Sequence, residues 1–230
     1  MDDLVIAGDP PVRVALRSSP RARRMSLRVS RLDGRVTLTL PHHVARDEGV
    51  AFARSRADWL RRHLAQVETG EAPHLGGTIP FLGQSLPLVA GPVRGPVLKD
   101  DALVLPDDPP RVARRVEVFL RTQARARLAE ACDRHAAALG RPFRRITLRD
   151  PRSRWGSCSA RGDLMFSWRL VMAPPEVLDY VAAHEVAHLA QMNHSPAFWA
   201  VVARLCPGHA AQRRWLREEG PRLHRLRFAP

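Results

Sequence analysis

One short histidine pattern constrains this chain more than any other part of its sequence. The run His184-Glu185-Val186-Ala187-His188 is followed six residues later by His194. On a helix, residues four apart share a face, so the first two imidazoles would point at one spot. An apolar stripe in phase with them precedes the run: Val177, Leu178, Tyr180 and Val181. Both histidines are therefore expected to face the interior, where an imidazole without a partner is unfavourable.

The residues after this run predict how a third histidine joins the first two. Asn193 tolerates left-handed backbone and can end a helix, while Ser195 and Pro196 favour the start of the next one. His194 is thus expected in a sharp corner between two helices, where it can turn back over His184 and His188. Neutral imidazoles suit zinc at about 2.0–2.1 Å per nitrogen. The spacing predicts one zinc ion on these three residues.

Glu185 is the predicted general base. It lies one step around the helix from His184, where it can reach a water beside the metal without being a ligand. Three protein ligands would leave a fourth position open, as catalytic zinc sites require. The expected reaction is hydrolysis of a peptide bond, with protein or peptide as the substrate.

Four segments resemble a known family. They are Ser153-Arg154-Trp155-Gly156-Ser157-Cys158-Ser159, Leu164-Met165-Phe166-Ser167-Trp168-Arg169-Leu170, Tyr180-Val181-Ala182-Ala183-His184-Glu185 and Asn193-His194-Ser195-Pro196-Ala197-Phe198-Trp199. Together they resemble the YgjP-like metallopeptidase family, which is similar to the SprT-like and WLM zincins. The resemblance is specific from about Arg149 to Trp215. It implies zinc held by His184, His188 and His194, with Glu185 as general base.

The same resemblance suggests where a substrate binds. In zincins an edge strand beside the metal pairs with an extended peptide through main-chain hydrogen bonds. The predicted edge here is Leu164, Met165, Phe166, Ser167 and Trp168. An ordinary core strand is the alternative interpretation of this segment.

Other polar residues leave alternatives open. Glu218 or Glu219 could replace His194 as third ligand, since gluzincins keep a glutamate in such a position. Cys158 could be a reactive thiol or an inhibitory fourth ligand, although a small buried residue is the favoured interpretation. His209 could donate a hydrogen bond to a tetrahedral intermediate.

The positive net charge raises the question of whether the chain binds nucleic acid. The chain carries +14, and Lys99 is its only lysine. An arginine excess of this kind is typical of GC-rich coding sequence, and it predicts weak, nonspecific, salt-sensitive contact with nucleic acid. Two alternative functions follow from it. One is a zinc-stabilised nucleic-acid-binding module, and the other is a DNA-associated protease.

The periodicities predict an α+β fold in two parts. Residues 1–108 are expected to form a β-rich N-terminal region with one helix at 44–68, ended by a linker from Pro106 to Pro110. Residues 109–230 are expected to form a zincin-like metallopeptidase domain, whose helical half carries the His184 helix. A long amphipathic helix at 111–139 opens this domain.

Composition excludes two further classes. No apolar run approaches the 18–20 or so residues of a membrane span, so no membrane partner is expected. Three scattered cysteines do not form a disulfide framework. The start Met1-Asp2-Asp3 lacks a basic and then apolar signal, which predicts a cytoplasmic location.

Overall fold

The computed structural model describes residues 3–30, 34–65 and 70–228. They form a mixed α+β structure that divides into two compact units, Met1–Gly70 and Glu71–Pro230. Within the described residues, no helix is both long enough and apolar enough to cross a membrane.

The first unit is a sheet with two helices. Its elements are β1 (Asp3–Ile6), β2 (Val12–Ser19), β3 (Ser26–Val29), β4 (Val36–Pro41), α1 (Arg46–Ser55) and α2 (Ala57–Ala65). The strand order is β1-β2-β4-β3, with β2 and β4 parallel and the outer strands antiparallel to their neighbours. Alternate residues of the strands point inward and share a core with the helices: Ile6, Val12, Val14, Val36, Leu38, Leu40, Ala53 and Leu60.

The predicted helix at 44–68 is two helices in the described residues. Arg56 separates α1 from α2, and its backbone (φ −106°, ψ 12°) leaves the helical region. The end of the predicted helix, residues 66–68, lies outside the part of the chain that the structure describes.

The second unit contains two sheets and four α-helices in its described part. Its strands are β5 (Thr78–Phe81), β6 (Gln84–Ala90), β7 (Val97–Lys99), β8 (Ala102–Leu105), β9 (Arg145–Arg149), β10 (Gly156–Cys158) and β11 (Asp163–Ser167). Its helices are α3 (Val112–Leu139), α4 (Pro175–Ala187), α5 (Pro196–Leu205) and α6 (His209–Glu218). Short 3₁₀ turns span Pro109–Arg111, Trp168–Met172 and Gly220–His224.

The two sheets of this unit differ in the placement of their strands. One has the order β5-β6-β8-β7 and consists of two hairpins joined by the parallel pair β6 and β8. The other has the order β10-β11-β9, with β11 parallel to β9 and antiparallel to β10. The central strand of this smaller sheet is therefore β11, and β10 lies at its edge.

The long helix α3 organises the core of the second unit. Its prediction at 111–139 is confirmed to within one residue, and Gly140 ends it in the left-handed conformation (φ 71°) that glycine adopts without strain. Its buried stripe, which includes Val116, Leu120 and Leu128, shares one hydrophobic core with α4, both sheets and the strand–helix connections. A polar contact also joins α3 to α4, since His135 Nε2 lies 3.0 Å from Asp179 Oδ1.

The compact units divide at residue 70, not at the expected boundary between residues 108 and 109. The reason is the apolar side of the hairpins between residues 78 and 105. Side chains such as Ile79, Leu88 and Leu103 are buried in the same core as α3 and α4. The proline-rich segment expected to be a linker instead includes the short turn Pro109–Arg111, which leads directly into α3.

Candidate metal centre

Helix α4 and the turn after it carry the first two histidines. His184 lies in the last turn of α4, and His188 caps its C-terminus with helical backbone angles (φ −63°, ψ −20°). The helix ends earlier than the expected stop at Asn193. Hydrogen bonds three residues apart, from Leu189 N to Val186 O and from Ala190 N to Ala187 O, tighten the chain into a turn. His188 Nδ1 lies 3.0 Å from the carbonyl oxygen of Gln191, which orients its ring.

The third histidine lies in the corner that the sequence predicted. Ser195 caps α5 by accepting a hydrogen bond from Phe198 N at 3.4 Å, and Pro196 occupies the first turn. This corner brings His194 back over α4, where its Nε2 lies 3.1 Å from Nε2 of His184. One ring nitrogen from each of His184, His188 and His194 lies within 4.8 Å of the others.

Phe198 packs against all three imidazoles. Its ring centroid lies 4.9 Å from that of His184, 4.5 Å from that of His188 and 4.8 Å from that of His194. The phenyl ring is fully buried. His184 Nδ1 is also buried and has no hydrogen-bond partner among the described residues, so packing against Phe198 and Tyr180 positions this ring.

The donor set fits a zinc ion. Burial, together with the smaller effects of the neighbouring His188 and His194, lowers the pKa of His184 to about 3. Burial also lowers the pKa of His188, although its hydrogen bond to the Gln191 carbonyl opposes the shift. A tetrahedral ion with nitrogen ligands at about 2.0–2.1 Å requires ligand nitrogens roughly 3.3 Å apart, and the 3.1 Å between His184 and His194 is close to that.

Glu185 is buried beside the cluster and is not a member of it. Its side chain is only 5% exposed, and this burial raises the pKa of its carboxyl group to about 8, with the charge of Arg154 opposing the shift. The carboxylate packs against Gly156. A Cβ at that glycine would lie 2.5 Å from Glu185 Oε1, closer than a Cβ atom comes to another heavy atom without a clash.

A cleft of about 260 Å³ lies over these groups. Strand β10 forms one side of the cleft and is called the strand wall. The segment 184–194 forms the other side and is called the helix wall. The residues lining the cleft are Gly156, Ser157, Cys158, His184, Glu185, His188, Met192 and His194. Among them Glu185 is the one carboxylate, so the cleft has a single acidic group facing three imidazoles.

The segment predicted to be the substrate-binding edge is not an edge. Strand β11 pairs with β10 on one side and with β9 on the other, so the main-chain groups of Leu164, Met165 and Phe166 already face partner strands. Ser167 and Trp168 are buried, and Trp168 begins the following 3₁₀ turn. The prediction of a substrate-pairing edge at 164–168 is therefore wrong, and the alternative of a core strand describes it. The strand next to the cleft with an unpaired side in the described sheet is β10.

The remaining polar candidates lie apart from the cluster. Glu218 and Glu219 are not part of the three-histidine group among the described residues, and Glu219 Oε2 pairs with Arg222 at 2.6 Å. His209 is stacked between Tyr180 and Trp199, with ring centroids 6.3 and 5.7 Å away, and it does not line the cleft.

Cys158 does line the cleft, although it does not belong to the candidate ligand group. Its thiol points to the carbonyl oxygen of Ser159 at 3.4 Å. Burial raises the pKa of Cys158 to about 11, with Glu185 and Asp163 adding to the shift, so the reactive thiolate is disfavoured. The partly buried thiol agrees with the favoured interpretation of a small packing residue.

Sequence reasoning missed the contact between Gly156 and Glu185. Gly156 lies in the strand Gly156–Cys158. A glycine within a strand often marks the close approach of another group, and that signal was available in the sequence.

Comparison with known proteins assigns the chain to a family. A search of curated proteins finds no match. Among solved structures, the chain is similar to the crystal structure of the metallopeptidase zymogen of Pyrococcus abyssi abylysin, with 20% identity and a TM-score of 0.37. The alignment covers 40% of this chain and 95% of that one, and at this level of similarity it supports no further inference. The match to the YgjP-like metallopeptidase domain, in contrast, extends over residues 23–219. The chain therefore belongs to the YgjP-like metallopeptidase family.

Proposed function

We propose that this chain is a zinc-dependent peptidase. In this proposal His184, His188 and His194 hold one zinc ion, and Glu185 is the general base. The observation that carries the proposal is the meeting of three imidazole nitrogens within 4.8 Å at a cleft that Glu185 also lines. Membership of a metallopeptidase family agrees with it.

The chemistry divides between the ion and the chain. A zinc ion bound there would supply a Lewis acid that polarises the scissile carbonyl and lowers the pKa of the attacking water. Glu185 takes a proton from this water as the water oxygen bonds to the carbonyl carbon. The carboxyl group then gives that proton to the amine nitrogen as the carbon–nitrogen bond breaks. Burial against Gly156 keeps the carboxylate facing the cleft during both transfers.

We assign substrate binding to the strand wall. The side of β10 away from β11 has no partner strand in the described sheet, and its residues line the cleft. An extended peptide added there would exchange main-chain hydrogen bonds with Gly156 and Cys158, because Trp155 and Ser159 bond toward β11 and main-chain groups alternate along a strand. Its affinity would depend little on its side chains. Met192, 54% exposed, lies on the opposite side of the cleft and offers an apolar contact to the peptide.

The Glu185→Gln variant tests the proposal. The substitution keeps the size of the side chain and removes its ability to accept a proton. Zinc content, measured on purified protein, should stay near one ion per chain. Cleavage in a broad peptide screen should fall by at least about a hundredfold, the scale of general-base catalysis.

Two outcomes would contradict the proposal in different ways. A Glu185→Gln protein that holds zinc and cuts at the wild-type rate would remove Glu185 from the mechanism. A wild-type protein that holds zinc and cleaves no peptide would favour the zinc-stabilised module instead.

Contact with nucleic acid stays a prediction, and no observation favours either nucleic-acid alternative. Several arginines already have carboxylate partners, including Arg169 with Asp150 and Arg121 with Glu117. Binding through the others is expected to be weak and to disappear steeply as salt is raised, because it would depend on counterion release.

A further inference from the structure

We infer that residues 220–228, here called the C-terminal strap, hold the strand wall against Glu185 and so position the proposed general base. The role of Glu185 rests on the proposed function, whereas the contacts that the strap makes do not. The strap follows α6 and begins with the 3₁₀ turn Gly220–His224. It lies beyond residue 219, where the family match ends.

A buried arginine ties the strap to the loop that leads into β10. Arg169, 7% exposed, donates from Nε and Nη2 to the two carboxylate oxygens of Asp150, at 2.7 and 3.0 Å. Its Nη1 donates to the carbonyl oxygens of Leu223 and Leu226, at 2.8 and 3.1 Å. Because a guanidinium holds its partners in one planar arrangement, it fixes the strap relative to the start of this loop.

The other end of the same loop, Trp155, lies directly against the strap. The ring centroids of His224 and Trp155 are 5.0 Å apart, with 33° between the planes. Gly220 is so close that a Cβ there would lie 2.9 Å from Trp155 Cζ2. The Trp155 carbonyl also accepts a hydrogen bond from Ser167 N at 2.8 Å, at the end of β11. Trp155 is thus held by both the strap and the sheet.

Gly156 connects the position of Trp155 to that of Glu185. It follows Trp155 and touches the Glu185 side chain so closely that a Cβ would lie 2.5 Å from Oε1 and 2.6 Å from Cγ. A shift of Trp155 therefore moves the surface on which the carboxylate rests. Displacement of a reacting group by about 1 Å can slow a reaction by about a hundredfold. His224 and Gly220 are accordingly positioning residues that act through Trp155.

The test compares His224→Ala with Arg227→Ala, an exposed position in the same strap. Loss of the ring over Trp155 should lower kcat by at least about tenfold. Zinc content should not change, because the three candidate ligands lie on the helix wall. Hydrogen exchange of the β10 amides should become faster in His224→Ala only.

Two further variants separate positioning from simple loss of stability. His224→Phe keeps a ring over Trp155 and should restore both kcat and slow exchange. Gly220→Ala pushes on Trp155 instead of releasing it and should also lower kcat with zinc retained. Rescue by phenylalanine would show that ring packing, and not a proton on His224, carries the effect.

The inference fails if His224→Ala keeps the wild-type kcat, whatever its exchange rate. It also fails if the lower activity comes with loss of zinc or if His224→Phe gives no rescue, since either result would indicate a general structural role. If the wild-type protein cleaves no peptide, the proposed function fails. Hydrogen exchange of the β10 amides then tests by itself whether the strap holds the strand wall. Unchanged exchange in His224→Ala would then overturn the role of the strap.

Discussion

The helix wall and the strand wall obtain their geometry in different ways. On the helix wall, His184, His188 and His194 lie within eleven consecutive residues, and one helix with its corner brings their nitrogens together. On the strand wall, Gly156 is held through its neighbour Trp155 by Ser167 in the next strand and by Gly220 and His224, which are distant in the sequence. The comparison indicates that the candidate ligands depend on local structure, whereas the position of the proposed base depends on tertiary contacts.

The largest expected effect belongs to the helix wall. His194→Ala leaves two imidazoles, too few for a catalytic zinc site, so zinc affinity should fall by at least about a hundredfold. Competition with a chromophoric chelator measures this loss. The double variant Glu218→Ala/Glu219→Ala is the control and should keep its zinc. The opposite result, a metal-free glutamate variant and a metal-loaded His194→Ala, would make a glutamate the third ligand.

An intermediate effect is expected on the strand wall. In Gly156→Ala the new Cβ would press on Glu185, so kcat should fall by about ten- to a hundredfold. The free energy of unfolding should fall by about 1–3 kcal/mol, as for other overpacked sites. Zinc should be retained, because the three ligands lie on the opposite wall.

Gly95→Ala is the matched control, since a Cβ at that position meets nothing within 4 Å. Steady-state kinetics and chemical denaturation of both variants give the comparison. Zinc loss in Gly156→Ala would show that the two walls are not independent, and an unchanged kcat would remove the strand wall from the positioning of Glu185.

The smallest effect concerns pH. Burial lowers the pKa of His224 to about 4 from its ordinary 6.5, with Arg169 adding to the shift, Asp150 opposing it and Arg152 adding a little more. The unfolded chain therefore binds a proton at a higher pH than the folded chain. Stability should fall as the pH drops from about 6.5 to about 4, by on the order of 1–3 kcal/mol because the ring keeps some solvent contact.

His224→Phe isolates this contribution, because the other titrating groups are common to both proteins. The free energy of unfolding, measured by denaturation at several pH values, should fall more steeply below pH 6.5 for the wild type than for the variant. Parallel curves across this range would mean that His224 titrates alike in the folded and unfolded chains.

Local signals in the sequence were sufficient for part of the structure. Helix α3 and its end at Gly140, the cap at Ser195, and the corner that returns His194 to α4 all follow from residues close together in the chain. The strand order does not follow from residues close together in the chain, because strand pairing is decided by contacts between distant segments. The parallel pairing of β9 with β11 places β10 at the edge and makes the predicted edge a central strand.

The position of Phe198 has a consequence for how the site would be loaded. In zinc fingers the ion supplies the folding energy, so the apo-protein is unfolded. Here a buried ring in the main core of the second unit touches all three candidate ligands, so apolar packing also holds the imidazoles in place. Because that core is far larger than the core of a zinc finger, we expect an ion to enter and leave a folded protein. The proposed activity would then follow the supply of metal, on the timescale of metal exchange and not of protein synthesis.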